Sequence, residues 1–288
     1  NYYKGVYISN YFSLIGRNEH NITIKGDKTI NDYYNKENSV EEGEITYMEE
    51  SIKGLLKKSK LKSENIDLCI NSDLQSQMLP SNFAMIDLDI PVITHYSACA
   101  SFVGNLIIAS NFIEGGFIDN AICLVSSHNM TSEKQFRYPT EYGAPRPDSA
   151  TFTATGAACA FLTNEKSNVR IESATLGQII DYSQNDPNDM GRVMAPAAVN
   201  TLVKHFEETK RNPKYYDLIL TGDLGEFGHK IVTEYLKRKY KINVNNMIDS
   251  GSIFYQNENI YAGASGPVCL PLTFFDYILT LKKYKKIL

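Results

Sequence analysis

The sequence predicts an α/β protein made of two related halves, each with a buried central helix. Three observations predict it. Apolar runs of strand length alternate along the chain with stretches of helical periodicity. An ungapped internal repeat relates residues 51–74 to residues 201–224 at an offset of 150. Two helices that are apolar nearly all round each follow a turn of small residues.

The elements follow in order. Ile45, Met48, Ile52 and Leu55 fall on one helical face, with Glu49, Lys53 and Lys57 elsewhere. Residues 66–70 and 91–95 read as short strands. Residues 102–113 form the first apolar helix, entered through Ser97-Ala98-Cys99-Ala100-Ser101 and expected to be buried on all sides. Residues 121–126 and 151–162 read as strands. In the repeat, Ile52 meets Leu202, Leu56 meets Phe206, and Asp67-Leu68 and Asp73-Leu74 meet Asp217-Leu218 and Asp223-Leu224. The second small-residue turn is Gly263-Ala264-Ser265-Gly266-Pro267, ahead of an apolar helix over residues 270–281. Pro267 suits the first turn of that helix, where its missing N–H costs nothing. Both turns are expected to face one cleft. The halves are set at 1–168 and 169–288.

Composition narrows the function classes. The chain has 288 residues, 43% of them hydrophobic, which supports a large core and excludes general disorder. Its formal net charge of −4 argues against nucleic acid as a partner and against a general pull toward anionic lipid. No apolar stretch approaches the ~18–20 residues that span a bilayer. The chain begins at Asn1 without a leader, and its start is expected to have been lost. Strands equivalent to 121–126 and 151–162 would begin in the second half near residues 286–288, so the C-terminal strands are expected to be missing.

Five cysteines lie too far apart for a zinc knuckle or redox pair. Cys69, Cys123 and Cys159 sit in apolar runs and read as buried thiols. Cys99 stands at the start of the first buried helix, where the helix dipole favours thiolate. Among the histidines, His128 ends a strand and can reach a cleft, His95 reads as a core residue, and His205 reads as partly solvated on an amphipathic helix. An acyl-transferring enzyme using Cys99 with His128 or His95 is one reading, a scaffold with an empty pocket another.

Longer motifs carry a resemblance. Ser126-Ser127-His128-Asn129, Gln135-Phe136-Arg137-Tyr138-Pro139-Thr140-Glu141-Tyr142-Gly143, Arg146-Pro147, Asp186-Pro187-Asn188-Asp189-Met190-Gly191 and Tyr216-Asp217-Leu218-Ile219-Leu220-Thr221-Gly222-Asp223 resemble the stage V sporulation protein AD family. The resemblance runs from about residue 44 to the end. That family resembles thiolases and ketoacyl synthases, which implies a layered αβαβα thiolase-like fold around two buried helices. It further implies a non-catalytic protein without a cofactor. This protein would bind dipicolinic acid, with or without calcium, within a spore membrane complex that moves calcium dipicolinate during sporulation and germination. It would sit peripherally on the forespore or spore inner membrane through partner subunits. Where condensing relatives carry His and Asn, this chain has Gly222 and Ala264.

The ligand is a flat ring with two carboxylates, so arginine and helix N-termini are the expected donors. The candidate binding set is Cys99, His128, Arg137, Tyr142, Arg146, Arg192, Gly222, Asp223 and Ser265, with Tyr138 beside it; no metal ligands are expected. For Asp223, turn-capping is favoured over ligand contact. A homodimer is expected through residues 91–96, the strand that joins sheets across thiolase-fold dimers.

Overall fold

The computed structural model describes residues 2–16, 24–136, 146–255 and 260–288. The first half, together with β8 just past residue 168, is built on a seven-stranded mixed sheet of β1 (Tyr7–Ile15), β2 (Lys28–Thr29), β3 (Cys69–Ser72), β4 (Val92–Thr94), β5 (Asn120–Ser127), β7 (Gly156–Thr163) and β8 (Val169–Arg170). The order is β2-β1-β7-β5-β3-β4, with β8 pairing β1. β3 runs parallel to β4 and β5, and β7 runs antiparallel to β1 and β5. α1 (Val40–Ser59) covers one face with Met48, Ile52 and Leu55 against Cys69, Ile122, Leu124 and Cys159. Ser39 caps this helix by accepting from the Glu42 N–H at 3.1 Å, while the Glu42 carboxylate accepts from the Asn38 N–H.

The repeat is realised at the predicted offset. α5 (Met190–Thr209) stands 150 residues after α1 at both ends. Lys60 and Lys210 end the two helices in the left-handed conformation, at φ 57 and φ 54. Short 3₁₀ turns at Ser63–Asn65 and Pro213–Tyr215 follow, then β3 and its counterpart β9 (Ile219–Thr221). β9 pairs in parallel with β10 (Met247–Asp249) on one side. On the other lie residues 286–288, where Leu288 donates to Leu218 at 3.0 Å and accepts from Leu220 at 2.7 Å. That strand takes the place beside β9 that β5 takes beside β3. α6 (Gly225–Tyr235) packs on α5 so closely that a Cβ on Gly228 would lie 2.8 Å from the Gly191 Cα; side chains at this crossing would force the helices apart.

The remaining elements are α2 (Leu79–Phe83), α3 (Ser101–Glu114), α4 (Asn129–Phe136), α7 (Ser250–Phe254) and α8 (Cys269–Thr273), with β6 (Phe152–Thr153) pairing β11 (Ala264–Ser265). Three expectations are corrected here. The strand expected over 151–162 is two strands in different sheets, because the chain bends between Thr153 and Gly156, leaving Ala154 to donate to the Ser265 carbonyl. α3 is not closed all round: Val103 is 42% exposed on the side away from the sheet, with Ile107 only half-buried. The helix over 270–281 is α-helical only to Thr273; a π turn (Phe274–Ile278) and a 3₁₀ turn (Leu279–Leu281) continue it. The π turn seats Phe275 flat on Tyr11, centroids 4.3 Å apart. Cys69, Cys123 and Cys159 are buried free thiols. Among the described residues no helix is long and apolar enough to cross a membrane.

Glu44 lies fully buried on the inner face of α1. It accepts from Ser126 Oγ at 2.9 Å, Thr131 Oγ1 at 2.8 Å and Gln75 Nε2 at 2.8 Å. Burial, with the nearby Asp73 carboxylate second, pushes its carboxyl up to about 7. The folded protein therefore holds this proton to near pH 7, whereas the unfolded chain releases it near 4.5. Between those values the folded state binds more protons, so this contribution to stability falls as pH rises. The loss reaches roughly 3 kcal/mol at the upper end. Denaturant titrations of the wild type and Glu44→Gln at pH 5 and pH 8 check this: the variant should lose less stability across the interval, and equal losses would refute it.

Candidate functional site

Cys99 sits in a 3₁₀ turn (Ala98–Ala100) between β4 and α3. Ala98 adopts φ 45, an unusual conformation for a residue with a side chain, and Ser97 donates its N–H to Ser101 Oγ at 3.1 Å. In the second half Gly266 adopts φ 98 at the equivalent place, ahead of α8. The two turns meet. The Gly266 N–H donates to Asp223 Oδ2 at 3.1 Å and also faces the Cys99 sulfur, and the Cys99 thiol lies beside the Asp223 carboxylate.

Asp223 follows β9 and is buried. Its loop is held by Asp249, the last residue of β10, which accepts from the Leu224 N–H at 3.0 Å, the Gly225 N–H at 2.9 Å and Thr221 Oγ1 at 2.7 Å. Burial raises the Asp223 carboxyl to about 6, opposed by the Cys99 hydrogen bond and aided by the Asp249 charge. The effect on Cys99 reverses the expectation from the helix dipole. Burial first, then the Asp223 charge, push the thiol well above its usual value. A half-buried thiol beside a carboxylate keeps its proton; one short turn's dipole does not offset a full charge beside it.

Gly222 borders the same spot. A Cβ there would meet only the Leu270 Cβ, at 3.9 Å, so space is open beside it. Its carbonyl accepts from Cys269 Sγ at 3.7 Å and from the Gly251 N–H at 3.1 Å. The Ser265 carbonyl accepts from Ala154, which ties the second turn to the β6 segment. Cys99, Gly222, Asp223 and the Ser265-Gly266 turn are thus brought together. Gly266 and Asp249 were not singled out in the sequence. The signal for Asp249 is an N-cap pattern, Asp249-Ser250-Gly251-Ser252, on a helix too short to show periodicity.

The other candidates lie elsewhere. His128 is fully buried; Nδ1 accepts from the Met130 N–H at 3.1 Å, which leaves Nε2 to donate to the Tyr33 carbonyl at 2.9 Å. Burial lowers it to about 4, so it is a neutral structural histidine. Arg192 pairs with Asp189 at 3.1 Å at the exposed start of α5. Arg146 pairs with Glu133 and lies over the Phe152 ring at 4.6 Å, one strand away from Ser265. Arg137, Tyr138 and Tyr142 lie outside the described residues. His95 Nδ1 is held by Asn105 Oδ1 at 3.2 Å. His205 is 4% exposed rather than partly solvated, because Thr175 and Tyr216 bind both its nitrogens inside the second half. Among the described residues no histidine hydrogen-bonds to Cys99. A cavity of about 450 Å³ lies on another side of Asp249, lined in part by Glu226, His229, Ser252 and Tyr261; neither Cys99 nor Gly222 borders it, so it is distinct from the cleft.

One measurement follows from the Cys99 pair. Alkylation of Cys99 by iodoacetamide at pH 7 should be slow compared with a free peptide thiol. Asp223→Asn, which removes the carboxylate charge, should speed it several-fold. A wild-type rate equal to the peptide's, unchanged in the variant, would contradict the pairing.

Comparisons with known proteins place this geometry. The cerulenin-bound structure of an OleA variant from Xanthomonas campestris superposes with a TM-score of 0.67 at 14% identity, over 99% of this chain and 91% of that one. FabH, the 3-oxoacyl-(acyl carrier protein) synthase III of Xanthomonas oryzae, gives 0.66 at 11% identity, over 99% and 93%. At these identities the likeness shows the fold, which is thiolase-like as expected. The stage V sporulation protein AD of Bacillus subtilis (strain 168) is 37% identical over 254 residues, 88% of this chain and 75% of that protein. The profile of the family described as stage V sporulation protein AD matches residues 2–288. The chain therefore belongs to the stage V sporulation protein AD family.

Proposed function

We propose that this sporulation protein is a non-catalytic, dipicolinate-binding subunit of a spore membrane complex that moves calcium dipicolinate. The Cys99–Asp223 pair carries the reading. A thiol kept protonated by a carboxylate is a poor nucleophile, and Gly222 and Ala264 stand where condensing relatives carry His and Asn. Without an imidazole base and an oxyanion donor, acyl transfer has no route to an enzymatic rate. The same changes open room for a flat ring beside Gly222. Its carboxylates would be met by the Gly266 N–H and by an arginine, either Arg137 or Arg146 after release from Glu133. In this reading the chain is held at the forespore or spore inner membrane by membrane-embedded partner subunits.

Calorimetric titration with dipicolinate, with benzoate as the one-carboxylate control, tests the site. Ligand at about 100 times its dissociation constant should stabilise the fold by roughly 2.7 kcal/mol. Cys99→Trp should fill the cleft and abolish binding, and loss of the pairing arginine should cost roughly 2–5 kcal/mol. Ionised Asp223 repels the dianion, so binding without calcium should tighten as pH falls toward about 6. Equal, negligible shifts with both ligands would overturn the proposal.

The homodimer belongs to the same reading. β4 is the edge of the first sheet, and Val92, Ile93 and Tyr96 on and beside it are 42%, 37% and 50% exposed. Phe83 and Ile86 extend the apolar face. Pairing with a second copy would cover this edge and its free backbone groups. Light scattering at micromolar concentration should give twice the chain mass; a single-chain mass refutes the dimer.

A further inference from the structure

The net charge of −4 conceals a strong separation of charge. Three stretches in the second half, residues 210–217, 237–246 and 282–286, hold eleven Lys and Arg against one acid, Asp217. Each stretch leads into a neighbouring parallel strand: β9, β10 and the strand at residues 286–288. They therefore lie side by side at one end of the second sheet, the end opposite Asp223 and Asp249.

Hydrogen bonds join them into one surface. Asn246 Nδ2 donates to the carbonyls of Pro213 and Tyr216 at 3.0 and 2.7 Å. Asp217 accepts from the backbone N–H groups of Lys285 and Lys286 at 2.7 and 3.0 Å, so the one acid within the stretches is already engaged; from outside them Glu172 pairs with Arg211 and Glu234 with Arg238, which leaves the lysines. The Tyr215 ring lies between the Arg211 guanidinium at 4.2 Å and Lys286 Nζ at 4.1 Å. Ten of the eleven cations are exposed.

The fold does not require this. At the matching end of the first half, residues 60–67, 84–91 and 114–120 carry six acids and two lysines. The basic surface is a property of the second half alone.

We propose that this basic end docks on an anionic lipid surface. Nine of its ten exposed cations are lysines. A lysine is a compact charge on a flexible stem, suited to the diffuse field of a headgroup plane, whereas bidentate phosphate recognition favours arginine. Tyr215, Tyr240 and Tyr284, amphipathic side chains of the kind that settles at a membrane interface, interleave with them, with Tyr240 37% exposed and the apolar Leu281 44% exposed nearby. This contact is direct, beyond any attachment through partner subunits.

Sedimentation of the full chain with vesicles tests it. Vesicles containing about 30% phosphatidylglycerol in phosphatidylcholine should bind it at about 0.05 M salt, and phosphatidylcholine alone should not. At about 0.5 M salt binding should collapse. The triple variant Lys214→Glu, Lys237→Glu, Lys283→Glu changes one exposed residue in each stretch and should weaken binding at least roughly tenfold. The control Lys53→Glu, Lys57→Glu, Lys62→Glu in the first half should retain it, with matching thermal melts showing that both are folded. No binding to the anionic vesicles, or equal loss in the control, overturns the proposal. Equal or tighter binding to duplex DNA at the same salt overturns it in favour of a nucleic-acid surface.

Discussion

Ala98 and Gly266 turn the backbone the same way, at φ 45 and φ 98, and the cleft depends on that shared turn. Each lets a strand end abruptly and a central helix begin. In the first half the turn projects Cys99; in the second it aims the Gly266 N–H at Asp223. Gly266 adopts this geometry at little cost, while alanine holds it against roughly 1–2 kcal/mol of strain. Such strain persists only where the surroundings over-determine it, and the surroundings here are the opposed turn and Asp223. The two halves are thereby joined at a point where thiol, carboxylate and amide N–H satisfy one another.

The duplication was legible because it is spelled in apolar spacing. Met48, Ile52 and Leu55 in α1, and Val199, Leu202 and Phe206 in α5, face their sheets at helical intervals, and no gap disturbs the offset through β9. The helix over 270–281 was legible as apolar but not as irregular. Its π turn answers a tertiary demand, the stacking of Phe275 on Tyr11, which sits 264 residues away. The break between β6 and β7 was hidden for a similar reason: both pieces are apolar, and only their partners tell them apart.

The site was legible where a turn names its own neighbours. Cys99 and the Ser265-Gly266 turn announce themselves as small residues before apolar helices. His128 was read from its place at the end of a strand and Arg192 from its place in a family segment, and neither signal says whether a residue serves a ligand or the fold. The structure shows His128 bridging the Tyr33 carbonyl and the Met130 N–H at the start of α4, a packing task that its place at a strand end does not reveal. Glu44 went unremarked, although its interval to Met48, Ser51 and Leu55 sets it on the buried face of α1. A carboxylate on that stripe signals a polar network inside the core, because burial demands partners.

Asp223 sets the state of the cysteine beside it. The thiolase-like frame still delivers a cysteine to the end of a central helix. A base beside that cysteine would draw its proton away; a carboxylate in a dry pocket does the opposite, since the pair would otherwise hold two buried negative charges. The carboxylate is itself raised to about 6 by burial, so near neutral pH the pair sits close to a protonation boundary. An arriving dianion would push it across by favouring neutral Asp223, and a cation would push it back. The residue that keeps the thiol protonated is therefore also the one that makes the cleft responsive to the charge of what enters it.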